Sequence, residues 1–217
     1  MARKINQIHR RRQQRSADFF ANNEDALSQQ SELICAPEVY HEAVLDIITH
    51  TASLGRKAAL EVGPGNGQML KSLAEQFEQT VGMERSTEVI AVTKEILAAE
   101  IANKRIRLIE RDFLTATASS RYDFILASMV VHHFPSPARF FKQAQSLLRP
   151  DGLIVLAELC EHNQEWVQEA CGDLWLGFRA DQIKSWAERA GLIIRDHQFL
   201  AQRNGFRVQV VSMAIQN

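Results

Sequence analysis

Residues 59–70 read Ala-Leu-Glu-Val-Gly-Pro-Gly-Asn-Gly-Gln-Met-Leu. A short apolar run enters three glycines spaced two apart, Gly63, Gly65 and Gly67, and a helical pattern starts at once. Glycines suit a chain that turns sharply and lets a ligand approach its backbone without a Cβ in the way. The helix start behind them offers unpaired N–H groups and a partial positive charge, a place for an anionic group. The spacing is GxGxG, with Gln68 following, so it departs from the GxGxxG dinucleotide fingerprint. No Gly-Lys-Ser/Thr follows, which excludes a Walker-type phosphate loop. Glu61, an acid at the end of an otherwise apolar strand, requires either an ion pair at the sheet edge or a cationic ligand group.

Outward from this loop, apolar runs alternate with amphipathic stretches. Strands are expected at Ala58–Val62, Thr80–Met83, Ile106–Ile109, Tyr122–Ala127 and Leu153–Ala157. Between them, Met69, Leu70, Leu73, Ala74 and Phe77 form one helical face, and a longer helix is expected from Thr87 to Ala102. Ser136-Pro137 reads as a cap and first-turn proline for a helix burying Phe140, Ala144, Leu147 and Leu148. Pro150-Asp151-Gly152 is a turn signal. Such alternation implies parallel strands joined by right-handed crossovers, each strand buried on both faces. The end of the chain differs. Leu192–Ala201 and Phe206–Ala214 flank Asn204-Gly205, which predicts a tight hairpin and therefore antiparallel last strands. Ahead of the loop, residues 1–55 read as a helical cap, with Pro37 at a first turn and Tyr40, Ala43, Val44, Ile47 and Ile48 on one face. The expected division is therefore 1–55, helical extension, and 56–217, α/β domain.

Bulk properties narrow the class. The 217 residues are 46% hydrophobic, enough for a globular core. Apolar runs are too short for a membrane span, and Met-Ala-Arg-Lys leads into no secretory signal. Three cysteines, Cys35, Cys160 and Cys171, cannot pair completely, which predicts a reduced, cytoplasmic protein. The net charge of −1 conceals an asymmetry: residues 1–17 carry six basic residues and no acid, and the remainder sums to −7. The basic start reads as a solvated helix or frayed terminus. Residues 1–15 are also the one place from which nucleic acid could be recruited, although no aromatic is interleaved there for base stacking.

Five motifs in order resemble the class I S-adenosylmethionine (SAM) dependent methyltransferases. Glu61-x-Gly63-x-Gly65-x-Gly67 after a strand looks like motif I; Val81-Gly82-Met83-Glu84 ends the second strand; Arg111-Asp112-Phe113 follows the third; Tyr122 to Ser128 looks like motif IV; Leu148-Arg149-Pro150-Asp151-Gly152 matches the turn before strand five. The resemblance covers about residues 37–217. It implies a seven-strand Rossmann-like sandwich of order 3-2-1-4-5-7-6 with strand 7 antiparallel. It also implies SAM as cofactor and S-adenosylhomocysteine as product. Glu61 would lie near the SAM amino group, Gly63, Gly65 and Gly67 under its methionine end, and Glu84 with Arg85 at the ribose. Asp112 would take the adenine amino group, Phe113 the ring, and Ser128 would close the site.

The segment after strand four, Ser128-Met129-Val130-Val131-His132-His133-Phe134, is neither the [DNS]PP[YFW] of amino-methylating enzymes nor a Pro-Cys nucleophile. It resembles the small-molecule branch typified by quinone-biosynthesis methyltransferases. Ser16 to Phe20, Ala36 to Tyr40, Trp175-Leu176-Gly177-Phe178 and Ala190-Gly191-Leu192 further resemble methyltransferase domains that follow ArsR-type repressors, with two departures. About 15 residues precede Ser16, which leaves no room for a winged helix, and Arg179 stands where a capping Ser or Thr is expected. A small-molecule methyl acceptor is expected, with His132 and His133 as candidate catalytic bases or else as packing residues. An RNA or protein methyltransferase and a non-catalytic SAM-binding regulator are the alternatives. Glu158, Cys160, His162 and Cys171 match no tetrahedral zinc spacing, so no metal is expected. Trp166, Trp175, Phe178 and Trp186 suit either a substrate lid or the core.

Overall fold

The computed structural model describes residues 34–117 and 121–216. Five parallel strands form where the apolar runs predict them. They are β1 (Ala58–Val62), β2 (Gln79–Glu84), β3 (Ile106–Glu110), β4 (Tyr122–Ser128) and β5 (Leu148–Leu159). Two further strands, β6 (Leu192–Ala201) and β7 (Arg207–Ile215), follow a helical stretch. The sheet order is β3-β2-β1-β4-β5-β7-β6. β7 runs antiparallel to both β5 and β6, whereas the other neighbours are parallel. The expected seven-strand topology is therefore the observed one.

Helices cover both faces, among them α2 (Gln68–Gln76) behind the glycine loop and the short α6 (Trp166–Ala170) after β5. One core lies beneath α1 (Glu38–His50), whose Tyr40, Val44, Ile47 and Ile48 pack with Phe77, Phe124, Leu126 and Val155. The other lies beneath α5 (Pro137–Leu147) and α7 (Ala180–Arg189) and joins Phe140, Phe141, Leu147 and Ile183 to Leu60, Ile125 and Ile154. The first helix thus shares its core with the sheet. Residues 1–33, including the basic arm and Ser16–Phe20, lie outside the described residues.

Four local expectations are refined. The helix expected over 87–102 is two, α3 (Thr87–Ile96) and α4 (Ala98–Ala102), broken at Leu97. Leu97 is buried, and a Cβ on Gly67 would stand 2.6 Å from its Cδ1. Packing on the glycine loop thus wins over helix continuation. Pro150-Asp151-Gly152 bulges within β5: Tyr122 pairs with Leu148 and Phe124 with Leu153. Arg149 and the Ala58 amide both bind Asp123 there, which locks the bulge to β1 and β4. The hairpin carries a five-residue connection between Ala201 and Arg207 instead of a two-residue turn. Asn204 is spent elsewhere, accepting from the Phe206 amide and donating to the Ile34 carbonyl. Finally, α5 starts after Ser136 without a bond from its hydroxyl. α7 starts after Arg179, whose amide donates to Gln182 Oε1 at 2.9 Å; the guanidinium, having no acceptor, pairs with Asp181 instead.

Candidate active site

Because β1 to β4 are parallel, their carboxyl ends lie along one edge of the sheet, where a doubly wound fold binds its ligands. Glu61, Glu84, Asp112 and Ser128 are brought to that edge together with the glycine loop. Gly63, Gly65 and Gly67 all have positive φ, at 66°, 51° and 76°, where a Cβ is strained. A Cβ on Gly63 would also stand 2.6 Å from Val130 Cγ2, so the β4 loop closes directly over the glycine turn. The Gly65 carbonyl is held by Thr93 Oγ1 at 2.6 Å. Nothing lies within 4 Å of a Cβ position on Gly65, so that backbone faces open space.

Two carboxylates stand out above this cradle. Glu61 is fully buried, and Ser128 Oγ donates to its Oε1 at 3.4 Å. Its Oε2 is buried with no partner. Burial pushes the Glu61 carboxyl up to about 8, against the smaller opposing effect of Ser128. A buried carboxyl in that condition is suited to a cationic group. Glu84 ends β2, its Oε1 accepting from the Arg85 and Ser86 amides at 2.7 and 2.9 Å. Its Oε2 lies toward Gly63, 3.8 Å from the position of a Cβ there. Burial raises the Glu84 carboxyl, with the two amides opposing. Asp112 follows β3 and accepts the Leu114 amide through Oδ1 at 2.9 Å. Phe113 is buried, its ring 5.3 Å from Phe140 and 6.3 Å from Phe134. Arg85 is exposed beside Glu84.

The β4 loop carries the histidines. Met129 takes a left-handed φ of 49°, a strained conformation for a side chain of its size. A 3-10 turn over Val131–His133 then follows. Glu158 on β5, fully buried, holds this turn. Its Oε1 accepts the amides of Val130, Val131 and His132 at 3.0, 2.6 and 3.3 Å. Its Oε2 accepts His132 Nδ1 at 2.7 Å. His132 Nε2 lies 3.1 Å from His133 Nε2 and 3.6 Å from Asp173 Oδ1. Burial alone would lower His132, but Asp173 and Glu158 outweigh it and hold its pKa at about 9. Burial, then His132, then Arg85 lower His133 well below the ordinary range. Burial raises Asp173 to about 6, with His132 opposing.

Sequence reasoning placed the two histidines at this loop but missed Glu158 as their anchor and Asp173 as their neighbour. Asp173 lies in Cys171-Gly172-Asp173, which carries no periodicity or spacing signal. It is delivered by tertiary structure: the Leu174 amide donates to the His132 carbonyl at 3.1 Å. Cys160 and His162 lie apart from the candidate metal cluster, which consists of His132, His133 and Asp173 among the described residues. Trp175, Phe178 and Trp186 pack on one another and on Phe141, with ring centroids 5.3–6.5 Å apart, in the core. Trp166 alone of the four is exposed. No helix among the described residues is long and apolar enough to cross a membrane.

Comparison with known proteins agrees with this fold. The chain is 24% identical over 165 residues to a ubiquinone biosynthesis O-methyltransferase of Coxiella burnetii, covering 70% of each protein. A SAM-dependent methyltransferase of Leishmania major superposes with a TM-score of 0.71 at 19% identity, over 95% of this chain and 82% of that one. The magnesium protoporphyrin IX methyltransferase of Synechocystis PCC 6803, solved with bound S-adenosylhomocysteine, gives a TM-score of 0.68 at 13% identity, over 91% and 96%. The methyltransferase-domain family model matches residues 40–197. A strand-end glycine cradle with a buried carboxyl beside it, on a sheet of this order, thus has a family: the chain is a SAM-dependent methyltransferase of the methyltransferase-domain family.

Proposed function

We propose that the chain methylates an oxygen on a small-molecule acceptor, with SAM held across the carboxyl ends of β1 to β3. The observation that carries the reading is Glu61 Oε2, a buried, unpartnered carboxylate oxygen beside the glycine loop. In this reading Glu61 holds the SAM amino group, and the backbone of Gly63, Gly65 and Gly67 faces its carboxylate end. Glu84 Oε2 accepts the ribose hydroxyls, a task for a two-oxygen acceptor with one oxygen already fixed by the Arg85 and Ser86 amides. Asp112 Oδ2 remains for the adenine amino group. Phe113 supports that pocket from the core side. Ser128 orients Glu61, and Arg85 extends the electrostatic rim.

His132 and His133 stand where the acceptor enters, on the loop that closes over Gly63. The acceptor oxygen gives its proton to His133 or to water and attacks the methyl carbon. The carbon–sulfur bond breaks as the carbon–oxygen bond forms, and the sulfonium becomes the neutral thioether of S-adenosylhomocysteine. Holding nucleophile and methyl in line supplies about 7–11 kcal/mol of proximity advantage. Clamping of the β4 loop by Glu158 fixes one side of that line.

The experiment is label transfer. Purified protein is incubated with methyl-labelled SAM and, separately, the low-mass, RNA and protein fractions of a bacterial extract. Label in a low-mass product that survives mild base is expected. Label confined to RNA or protein would replace the small-molecule reading. SAM binding without label in any fraction would favour a non-catalytic binder.

A further inference from the structure

We propose that His132, His133 and Asp173 form a binding site for one divalent first-row transition-metal ion, with the Glu158 carboxylate as the outer partner of His132. One ligand atom from each of the three lies within 4.8 Å of the others. The separations fit a shared ion. Donors about 2.0–2.2 Å from a common metal, at angles between octahedral and tetrahedral, are about 3.0–3.5 Å apart. His132 Nε2 is 3.1 Å from His133 Nε2 and 3.6 Å from Asp173 Oδ1.

Three further observations point the same way. Asp173 is 3% exposed, and its Oδ1 has no hydrogen-bond partner; the two histidines reach it only at 3.6 and 3.8 Å, beyond hydrogen-bond length. A carboxylate oxygen left so deep in protein is costly unless a cation answers it. Next, Glu158 Oε2 accepts from His132 Nδ1 at 2.7 Å, which turns Nε2 toward the cluster, where an ion would take the place of the Nε2 proton. A carboxylate behind a ligating histidine is the usual means of fixing tautomer and ring orientation. Finally, the two donor segments are tied together by the Leu174 amide on the His132 carbonyl, so the cluster spans two rigid pieces.

The donor set selects the ion. Two imidazoles and one carboxylate favour Zn2+, Fe2+ or Co2+ over Mg2+ or Ca2+, which prefer all-oxygen shells. Three protein donors leave coordination positions for an outside oxygen. His133, with 17% of its side chain exposed, is the corner through which that oxygen would arrive. Its use in catalysis rests on the acceptor placement proposed above: a bound ion would lower the pKa of an acceptor hydroxyl, which would give its proton to water before methyl transfer. The binding itself does not depend on that placement.

The test uses the full chain after removal of metal by chelator. Zn2+ is titrated calorimetrically, and Co2+ is followed by visible absorption, which reports nitrogen and oxygen ligands directly. One ion per chain is expected, with Asp173→Asn and His133→Ala each weakening it at least tenfold. Asp173→Asn keeps the side-chain shape, and a thermal melt shows whether each variant is folded. Glu84→Ala serves as the control: it should lose SAM and keep the metal. The proposal is overturned if the wild-type chain binds no stoichiometric ion, or if both folded variants bind as the wild type does. Failure of the methyl-transfer reading would look different, as a chain that binds the ion and SAM but labels no acceptor.

Discussion

Glu61→Gln tests the cofactor site and the energetics of the core in one variant. Glu61 has the same shape as glutamine, is fully buried and has its carboxyl raised from 4.5 to about 8 by burial. A raised folded-state pKa stabilises the fold at low pH, and that contribution is lost as pH rises through 8. From pH 4.5 upward the unfolded chain releases the proton while the folded chain must keep it or bury a charge. The resulting penalty has a ceiling of about 2 kcal/mol at pH 6 and about 4–5 kcal/mol above pH 8. Relaxation and water entry reduce it, and a glutamine amide donates to Ser128 in exchange. We therefore expect Glu61→Gln, without ligand, to match the wild type near pH 4.5 and to be more stable by about 1–3 kcal/mol at pH 8. For a chain of this size that is a rise in Tm of roughly 2–10 °C. SAM should reverse the order. The variant cannot form the charge-assisted bond to the SAM amino group and should bind at least tenfold more weakly, a loss of about 1.5–3 kcal/mol. Thermal melts at pH 4.5, 6 and 8, with and without SAM, read both effects. A variant no more stable than wild type at pH 8, or one that binds SAM equally well, would refute the reasoning.

Other expectations follow from single contacts. Glu84→Ala should weaken SAM and S-adenosylhomocysteine by the same amount, about 1–3 kcal/mol by calorimetry, because both carry the same ribose. Asp112→Ala should weaken both by a similar amount and leave the fold intact. Glu158→Ala should cost about 3–5 kcal/mol in urea unfolding, because it frees three amides and the His132 Nδ1 in a buried turn. Gly67→Ala should cost about 1–3 kcal/mol, from the positive φ and the approach to Leu97. Removal of residues 1–15 should leave SAM affinity unchanged. If the arm contacts phosphates, its removal should lower RNA affinity and flatten the salt dependence.

The sheet was legible because its strands are buried on both faces. Leu60, Phe124, Ile125, Ile154 and Leu156 are all wholly inaccessible, and such strands appear in sequence as uninterrupted apolar runs. The glycine loop and the acids at strand ends were legible because a parallel sheet delivers all its carboxyl ends to one edge. What the sequence concealed depends on contacts between distant segments. The break at Leu97 reflects where that side chain packs. The single-residue identity of Asn204 does not tell that its amide is committed to Ile34, 170 residues earlier. Glu158 on β5 and Asp173 on the loop before α7 converge on His132 from segments that share no spacing. In sequence Glu158 groups with Cys160 and His162, whereas its carboxylate points back to the β4 turn. Of the aromatic residues grouped as a lid or core, tertiary packing alone separates Trp166 from the other three.

The clamp of Glu158 on the β4 turn also bears on redesign. That carboxylate takes four of its five hydrogen bonds from Val130, Val131 and His132, while its own backbone pairs with Gln209 on β7. Under the proposed acceptor placement, the floor of the site is thereby built into the sheet and has little freedom to remodel. New substrate preferences should instead come from the exposed positions of the segment between β5 and α7, which is anchored at Cys160, Leu174, Trp175 and Phe178 and exposes Trp166 between them. Libraries directed to residues 162–176, leaving Asp173 fixed, would vary the roof while the methyl-transfer line stays in place.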